Sequence, residues 1–487
     1  MYFTTSLIRG NFLFCHTLIL VYYKNMYKKI VCILLIGIFL WTNSASALIT
    51  IEEEKKMGEK FFAEVKSQIP LISDPVLNRY YNEIGQTLVA HLKERYYPYY
   101  FFIIDDSTLN AFAAPGGYVF IYRGLFLAFD TEDELAAVTA HEMGHVVCRH
   151  IAKRIEKSKK IGIATMIAIL AGAFMGLDAG AIATTAMGAG MAMSFKYSRE
   201  DEEQADRTGL NILLASGYDG KAVVSSFKKL LQFSLGSGGK IPPYLKTHPD
   251  LEVRIVYIAN TLKRISPPKK KHHDQRRFKL MQARLRALYT ETEAAKNFFA
   301  LKLRQDPKDA VSHYGLALCF MRERDWGKAI IHLKQALDLK PAEPLFWRAL
   351  GICYTEKEEF TLALRYLKKV NQDAEVAFYL GLAYEHNGNI DKAIKIWQSA
   401  LEKFDPHLTL NLSDFSQICY HLAHAFAKKK KLDWAHYYLG KYFELEGKPA
   451  QARYHFQKAK NLTQDKALKV KIGKKPNLKE PKKEDKK

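Results

Sequence analysis

At 487 residues, with 48% apolar and 25% charged side chains, the chain is too long for one compact core and too apolar for a disordered polymer. Its 73 Lys and Arg against 51 Asp and Glu leave a net charge of +22, which suits an anionic surface such as lipid. No zinc-finger, RNA-binding or helix-turn-helix signature accompanies that charge, so no nucleic-acid partner is expected.

Lys24, Lys28 and Lys29 precede an apolar run from Ile30 to Trp41, and Ala45-Ser46-Ala47 follows. A charged start, a short apolar run and small residues describe a secretory signal over residues 1–47, with Met26 as initiator and a mature start near Leu48. The run is short for a membrane span, so an uncleaved anchor is the lesser reading.

Residues 48–265 mix helical and strand patterns. Tyr99–Ile104 and Tyr118–Tyr122 are aromatic and β-branched, as strands are. Asp133 to about Ser158 has helical periodicity, opened by Glu132, Asp133 and Glu134 to suit the helix dipole. On that helix lies His141-Glu-Met-Gly-His145. Residues i and i+4 share a face, so both imidazoles can reach one Zn²⁺. Glu142 beside them can take a proton from a water that the metal activates and return it to the leaving amine.

A catalytic zinc takes three protein ligands and keeps one position open. Ser198-Arg-Glu-Asp-Glu-Glu-Gln-Ala-Asp206 supplies the third candidate: Glu202 completes a His₂Glu set, and Asp206, one turn on, can accept the other N–H of a ligand histidine. Without the histidine pair the same run would read as a solvated acidic face. Cys148 reads as a core thiol, and His150, off the i, i+4 face, has no metal role. Between the ligands, Ile161–Leu177 and Ala179–Phe195 are uncharged runs split by Asp178. They are expected to form a helical hairpin over 161–195 that packs on the domain or makes peripheral membrane contact, with full spanning the lesser reading.

Residues 266–277, with Pro267, Pro268 and a basic run, form a linker. Over 278–465 the chain repeats: Ala295, Ala329 and Ala363 stand 34 apart, and Ala393, Ala435 and Ala452 continue less regularly. Small residues recur twelve earlier (Ala283, Ala317, Gly351, Gly381, Ala423, Gly440), with aromatics three beyond most of them. This resembles the tetratricopeptide repeat, in which small residues let paired helices approach closely. Cys319, Cys353 and Cys419 lie here and read as buried thiols, although one disulfide between them is chemically open. Residues 466–487 read as a basic, disordered tail.

Taken together, Asn110-Ala-Phe-Ala-Ala-Pro-Gly-Gly-Tyr-Val-Phe-Ile-Tyr-Arg-Gly-Leu125, the histidine motif, Ser198-Arg199 with Glu202 and Ala205-Asp206, and Thr247-His248-Pro249 resemble the M48 family of metallopeptidases. The resemblance implies an α+β architecture: a mainly helical gluzincin-type domain with a small β-sheet, followed by an all-α repeat solenoid. It implies one Zn²⁺ on His141, His145 and Glu202, and Glu142 as general base. It also implies that His248 lies near the metal, as a latch or as a transition-state stabiliser, with Arg254 a weaker candidate for the second task. Pro115-Gly116-Gly117 would lead into an edge strand able to pair with an extended substrate.

An exported member with such repeats implies a periplasmic endopeptidase in outer-membrane protein quality control. Its substrates would be unfolded or stalled envelope proteins, with the β-barrel assembly machinery as a partner of the repeats. The rival reading is a repeat-mediated chaperone or scaffold with latent protease activity.

Overall fold

The computed structural model describes residues 49–157, 197–236, 241–265, 274–405 and 409–473. The expected signal peptide, the apolar hairpin at 161–195 and most of the linker lie outside the described residues. Among the described residues no helix is long and apolar enough to cross a membrane.

Helix α1 (Ile51–Gln68) opens on a capping box between Thr50 and Glu53. Helix α2 (Pro75–Val89) starts on Asp74, whose carboxylate accepts from the Val76 and Leu77 N–H groups, with Pro75 in the first turn where its missing N–H costs nothing. Strands β1 (Tyr100–Ile104), β2 (Ala111–Ala114) and β3 (Tyr118–Tyr122) follow. The sheet order is β1-β3-β2, parallel on one side of β3 and antiparallel on the other.

One expectation changes here. The strand after Pro115-Gly116-Gly117 is the central one, hydrogen-bonded on both sides, so it offers no free edge; β1 and β2 are the edge strands. Gly116 and Gly117 both take positive φ (75° and 89°), which the tight reversal from β2 into β3 requires.

A short helix α3 (Arg123–Ala128) leads to α4 (Glu132–Val147). The acidic first turn of α4 is fully engaged: Tyr80 and Tyr218 donate to Glu132, the Asp219 N–H to Asp133, and Ser225 to Glu134. The single helix expected to about Ser158 is broken. Cys148 caps α4, Arg149 adopts φ 56°, and a new helix α5 (His150–Lys157) starts after it. Helices α6 (Arg199–Ala215), α7 (Lys221–Gly236), α8 (Pro243–Thr247) and α9 (Leu251–Arg264) complete the domain.

Helical pairs then run from α10 (Gln275–Tyr289) to α20 (Pro449–Leu462). The recurring small residues sit where expected: Gly351 faces Leu367, Gly381 faces Trp397, and Gly440 faces Phe456 so closely that a Cβ would overlap each. Residues 275–277 belong to α10, so the linker ends earlier than 277. The tail also begins later than 466, because Lys466–Gly473 form a helix whose Leu468 is buried. Cys319, Cys353 and Cys419 are free, buried thiols.

One hydrophobic core runs unbroken from α2 and α4 into the first repeats. Phe126 stacks on Phe278 with centroids 5.7 Å apart, and Gln282 donates to the Phe126 and Phe129 carbonyls. The Asp74 carboxylate that caps α2 also receives the Arg284 guanidinium, both side chains buried.

Candidate metal centre

Helices α4 and α6 cross at a pair of glycines. A Cβ on Gly144 would overlap the Ala205 carbonyl, and one on Gly209 would lie 2.7 Å from the Ala140 carbonyl. This close approach brings Glu202 and Asp206 of α6 against the histidines of α4. Gly144→Ala is therefore expected to force the helices apart, costing about 1–3 kcal/mol in stability and lowering metal occupancy. A thermal melt and metal analysis check both.

His141, His145, Glu202 and His248 are all buried and offer ligand atoms that lie within 4.8 Å of one another. The His141 and His145 Nε2 atoms are 3.1 Å apart. His141 Nε2 lies 3.5 Å from Glu202 Oε2, and His145 Nε2 lies 3.6 Å from Glu202 Oε1. His248 turns Nδ1 inward, 3.4 Å from His141 Nε2 and 3.0 Å from Glu202 Oε1. Its Nε2 faces Glu142 Oε1 at 3.6 Å. Asp206 Oδ1 sits 2.8 Å from His141 Nδ1, the place expected of it.

Arg254 is not free to face a substrate. Its guanidinium pairs with Glu202 and Asp206 and lies over the Phe227 ring at 4.5 Å. Tyr257 also donates to Asp206. Tyr197 stacks on His145 at 3.8 Å and Tyr244 on His248 at 4.4 Å, walls that no local pattern marks beyond their aromatic type. Cys148 lies outside the donor cluster, beside the Thr208 hydroxyl at 3.5 Å. His150 stands outside the donor cluster, as its position off the i, i+4 face implied, but it is buried and its Nδ1 lies 2.9 Å from His145 Nδ1.

The donor set fits a divalent cation. Glu202 and Asp206 are buried and share one guanidinium, Arg254, and a third buried acidic side chain, Glu142, lies beside them, a density of acidic groups that is costly to bury without a cation. Both Glu142 carboxylate oxygens and His248 Nε2 have no hydrogen-bond partner among the described residues. The electrostatics carry the same sign. Burial opposes charge on Glu202, yet His248 and Arg254 hold its carboxyl well below the ordinary range. Asp206, also buried, is held at about 2 by Arg254 and His141. Burial and Arg254 work against a proton on His141, but Asp206 overcomes both and raises it to about 9. Burial drives His145 well below its usual value. Two ionised carboxylates beside three buried imidazoles form a site that can hold a metal ion, with His141 giving up its proton as the ion binds.

Residues 75–262 match the model of peptidase family M48, and residues 292–344 and 363–408 match a tetratricopeptide repeat. The chain carries an M48 domain followed by tetratricopeptide repeats. A putative beta-barrel assembly-enhancing protease of Vibrio cholerae is 33% identical over 318 residues, 63% of this chain and 64% of that one. The beta-barrel assembly-enhancing protease of Escherichia coli strain K12 is 33% identical over 228 residues, 46% of this chain and 47% of that one. A mitochondrial metalloendopeptidase of Schizosaccharomyces pombe is 29% identical over 219 residues, 44% of this chain and 62% of that one. The matches thus span about half to two thirds of these relatives' lengths. The M48 match ends just before the linker and includes each of the four clustered donors.

Proposed function

We propose that this M48 chain is a zinc-dependent endopeptidase of the bacterial cell envelope, with His141, His145 and Glu202 as ligands and Glu142 as general base. One observation carries the reading: four buried donors converge beside a buried carboxylate that has no hydrogen-bond partner among the described residues. Zinc, when bound, supplies Lewis acidity that polarises a carbonyl and lowers the pKa of water at the site to about 7. Asp206 orients His141 through Nδ1 and, with Arg254, fixes the Glu202 carboxylate. Glu142 takes a proton from the attacking water and hands it to the leaving nitrogen. The outer edge of β2, which pairs with no strand among the described residues, is where an extended substrate backbone can add.

His248 is the displaceable donor. The other three stand on α4 and α6, whereas His248 lies on the turn between α8 and α9, next to Asp250 with φ 59°. Four protein donors close a tetrahedral ion, while catalysis needs an open position. His248 therefore acts as a latch. His248→Ala is expected to weaken zinc binding and to raise the rate of casein hydrolysis. A slower rate with unchanged zinc affinity would assign it to the transition state instead.

The periplasm and unfolded or stalled envelope proteins are the location and substrates this reading favours, supported by the two relatives named for β-barrel assembly. The repeats supply contacts to the assembly machinery, and the 161–195 segment supplies peripheral membrane contact. Crosslinking through the repeats in intact cells tests the partner. Recovery of no envelope protein would remove it.

A further inference from the structure

The break after α4 does more than end a helix. Arg149 enters the left-handed region, φ 56°, which a non-glycine residue holds only when its surroundings fix it. They do: its Nε donates to Glu54 Oε2 at 2.8 Å, and its guanidinium also reaches the Ile49 carbonyl. That turn points His150 back at His145 instead of out along a continued helix. His150 is 1% exposed, its Nδ1 2.9 Å from His145 Nδ1. On its far side Nε2 meets Gln204 Oε1 at 3.3 Å and Asp201 Oδ1 at 3.7 Å, and Arg154 holds Asp201 at 2.7 Å.

From this chain we infer that His150 is a positioning residue, which fixes the tautomer and ring orientation of His145 and ties α4 to the helix bearing Glu202. The inference rests on the metal-centre reading above. A neutral imidazole has one N–H. For His145 to offer Nε2 to an ion, its proton must sit on Nδ1, and that N–H needs an acceptor. His150 Nδ1 is the acceptor in place, which puts the His150 proton on Nε2. There the Gln204 carbonyl and the Asp201 carboxylate receive it. Asp206 performs the equivalent task for His141 directly; His145 has a histidine relay in place of a carboxylate. A relay of this kind is neutral, so it adds no third carboxylate to the ligand histidines and leaves the site's charge for the ion.

The test compares His150→Phe, which fills the space without an acceptor, and His150→Asn, whose Oδ1 can still accept from Nδ1–H. Zinc affinity is measured by chelator competition, alongside the visible spectrum of the Co²⁺-loaded chain. The phenylalanine variant is expected to bind zinc about 10–100-fold more weakly and to shift the Co²⁺ bands. The asparagine variant is expected to recover most of both. Native-like affinity and spectrum in His150→Phe would overturn the inference. So would equal losses in the two variants. If the phenylalanine variant does not fold, Gln204→Leu, at the exposed end of the relay, replaces it, and an unchanged Co²⁺ spectrum there would overturn the relay. Failure of the native chain to take up stoichiometric zinc would instead overturn the metal reading itself.

Discussion

Glu142→Gln is expected to retain one zinc per chain while hydrolysing protein substrates about 10²–10⁴-fold more slowly. The two properties separate because Glu142 lies outside the donor cluster yet within 3.6 Å of His248, the donor facing it. An amide keeps the shape and loses the base. Both Glu142 oxygens are buried without a hydrogen-bond partner among the described residues, so the substitution breaks no hydrogen bond among them and stability is expected to hold or rise. Metal analysis, a melt and a casein assay on one preparation distinguish the outcomes. Full restoration of envelope phenotypes by this variant would make the repeat scaffold, and not hydrolysis, the main activity.

The second large effect is on stability. Arg284→Met is expected to cost about 3–5 kcal/mol, because it leaves the buried Asp74 carboxylate without its cation. Arg284 donates to both Asp74 oxygens and to the Tyr314 hydroxyl, so one substitution strips the α2 cap of its counter-charge and loosens the first repeat from the M48 domain. Replacing both partners, Asp74→Asn with Arg284→Met, is expected to recover much of the loss, since no orphan charge remains and Asn still caps a helix.

The pH dependence has a definite sign. Burial opposes charge on Asp74, but Arg284 and the Leu77 N–H hold its carboxyl below the ordinary value. A depressed carboxyl contributes stability that is complete above the unfolded value of about 3.9. That contribution fades as the pH falls through the folded value. Urea midpoints across acidic pH should therefore drop more steeply in the native chain than in the double variant.

The candidate donors were legible in part because helical spacing places His141 and His145 on one face and Glu202 and Asp206 on another; their convergence came from the family resemblance. The repeats were legible because their close helix contacts demand small residues at a fixed period. What escaped depends on partners far away in the chain. The break at Cys148–Arg149 carries no Gly or Pro, since Glu54, nearly a hundred residues earlier, stabilises it. The contact of His150 with His145 was hidden for the same reason. Strand β2 is four residues of Ala-Phe-Ala-Ala with neither alternation nor β-branching, and β3's central position follows from a parallel pairing with β1 that no local pattern encodes. Arg254 is tied to Glu202 and Asp206 by ion pairs some fifty residues apart, so its sequence context did not separate a structural cation from a catalytic one. Asp74-Pro75 did carry a helix-start signal, and reading it would have found the cap, though not Arg284.

X-ray absorption at the zinc edge, on chain purified without chelator, tests the central claim most directly. The expected result is one zinc per chain with nitrogen and oxygen donors at about 2.0–2.1 Å, imidazole scattering prominent, and occupancy lost in His141→Ala. A metal-free native chain, a sulfur donor in the spectrum, or undiminished zinc in His141→Ala would contradict it.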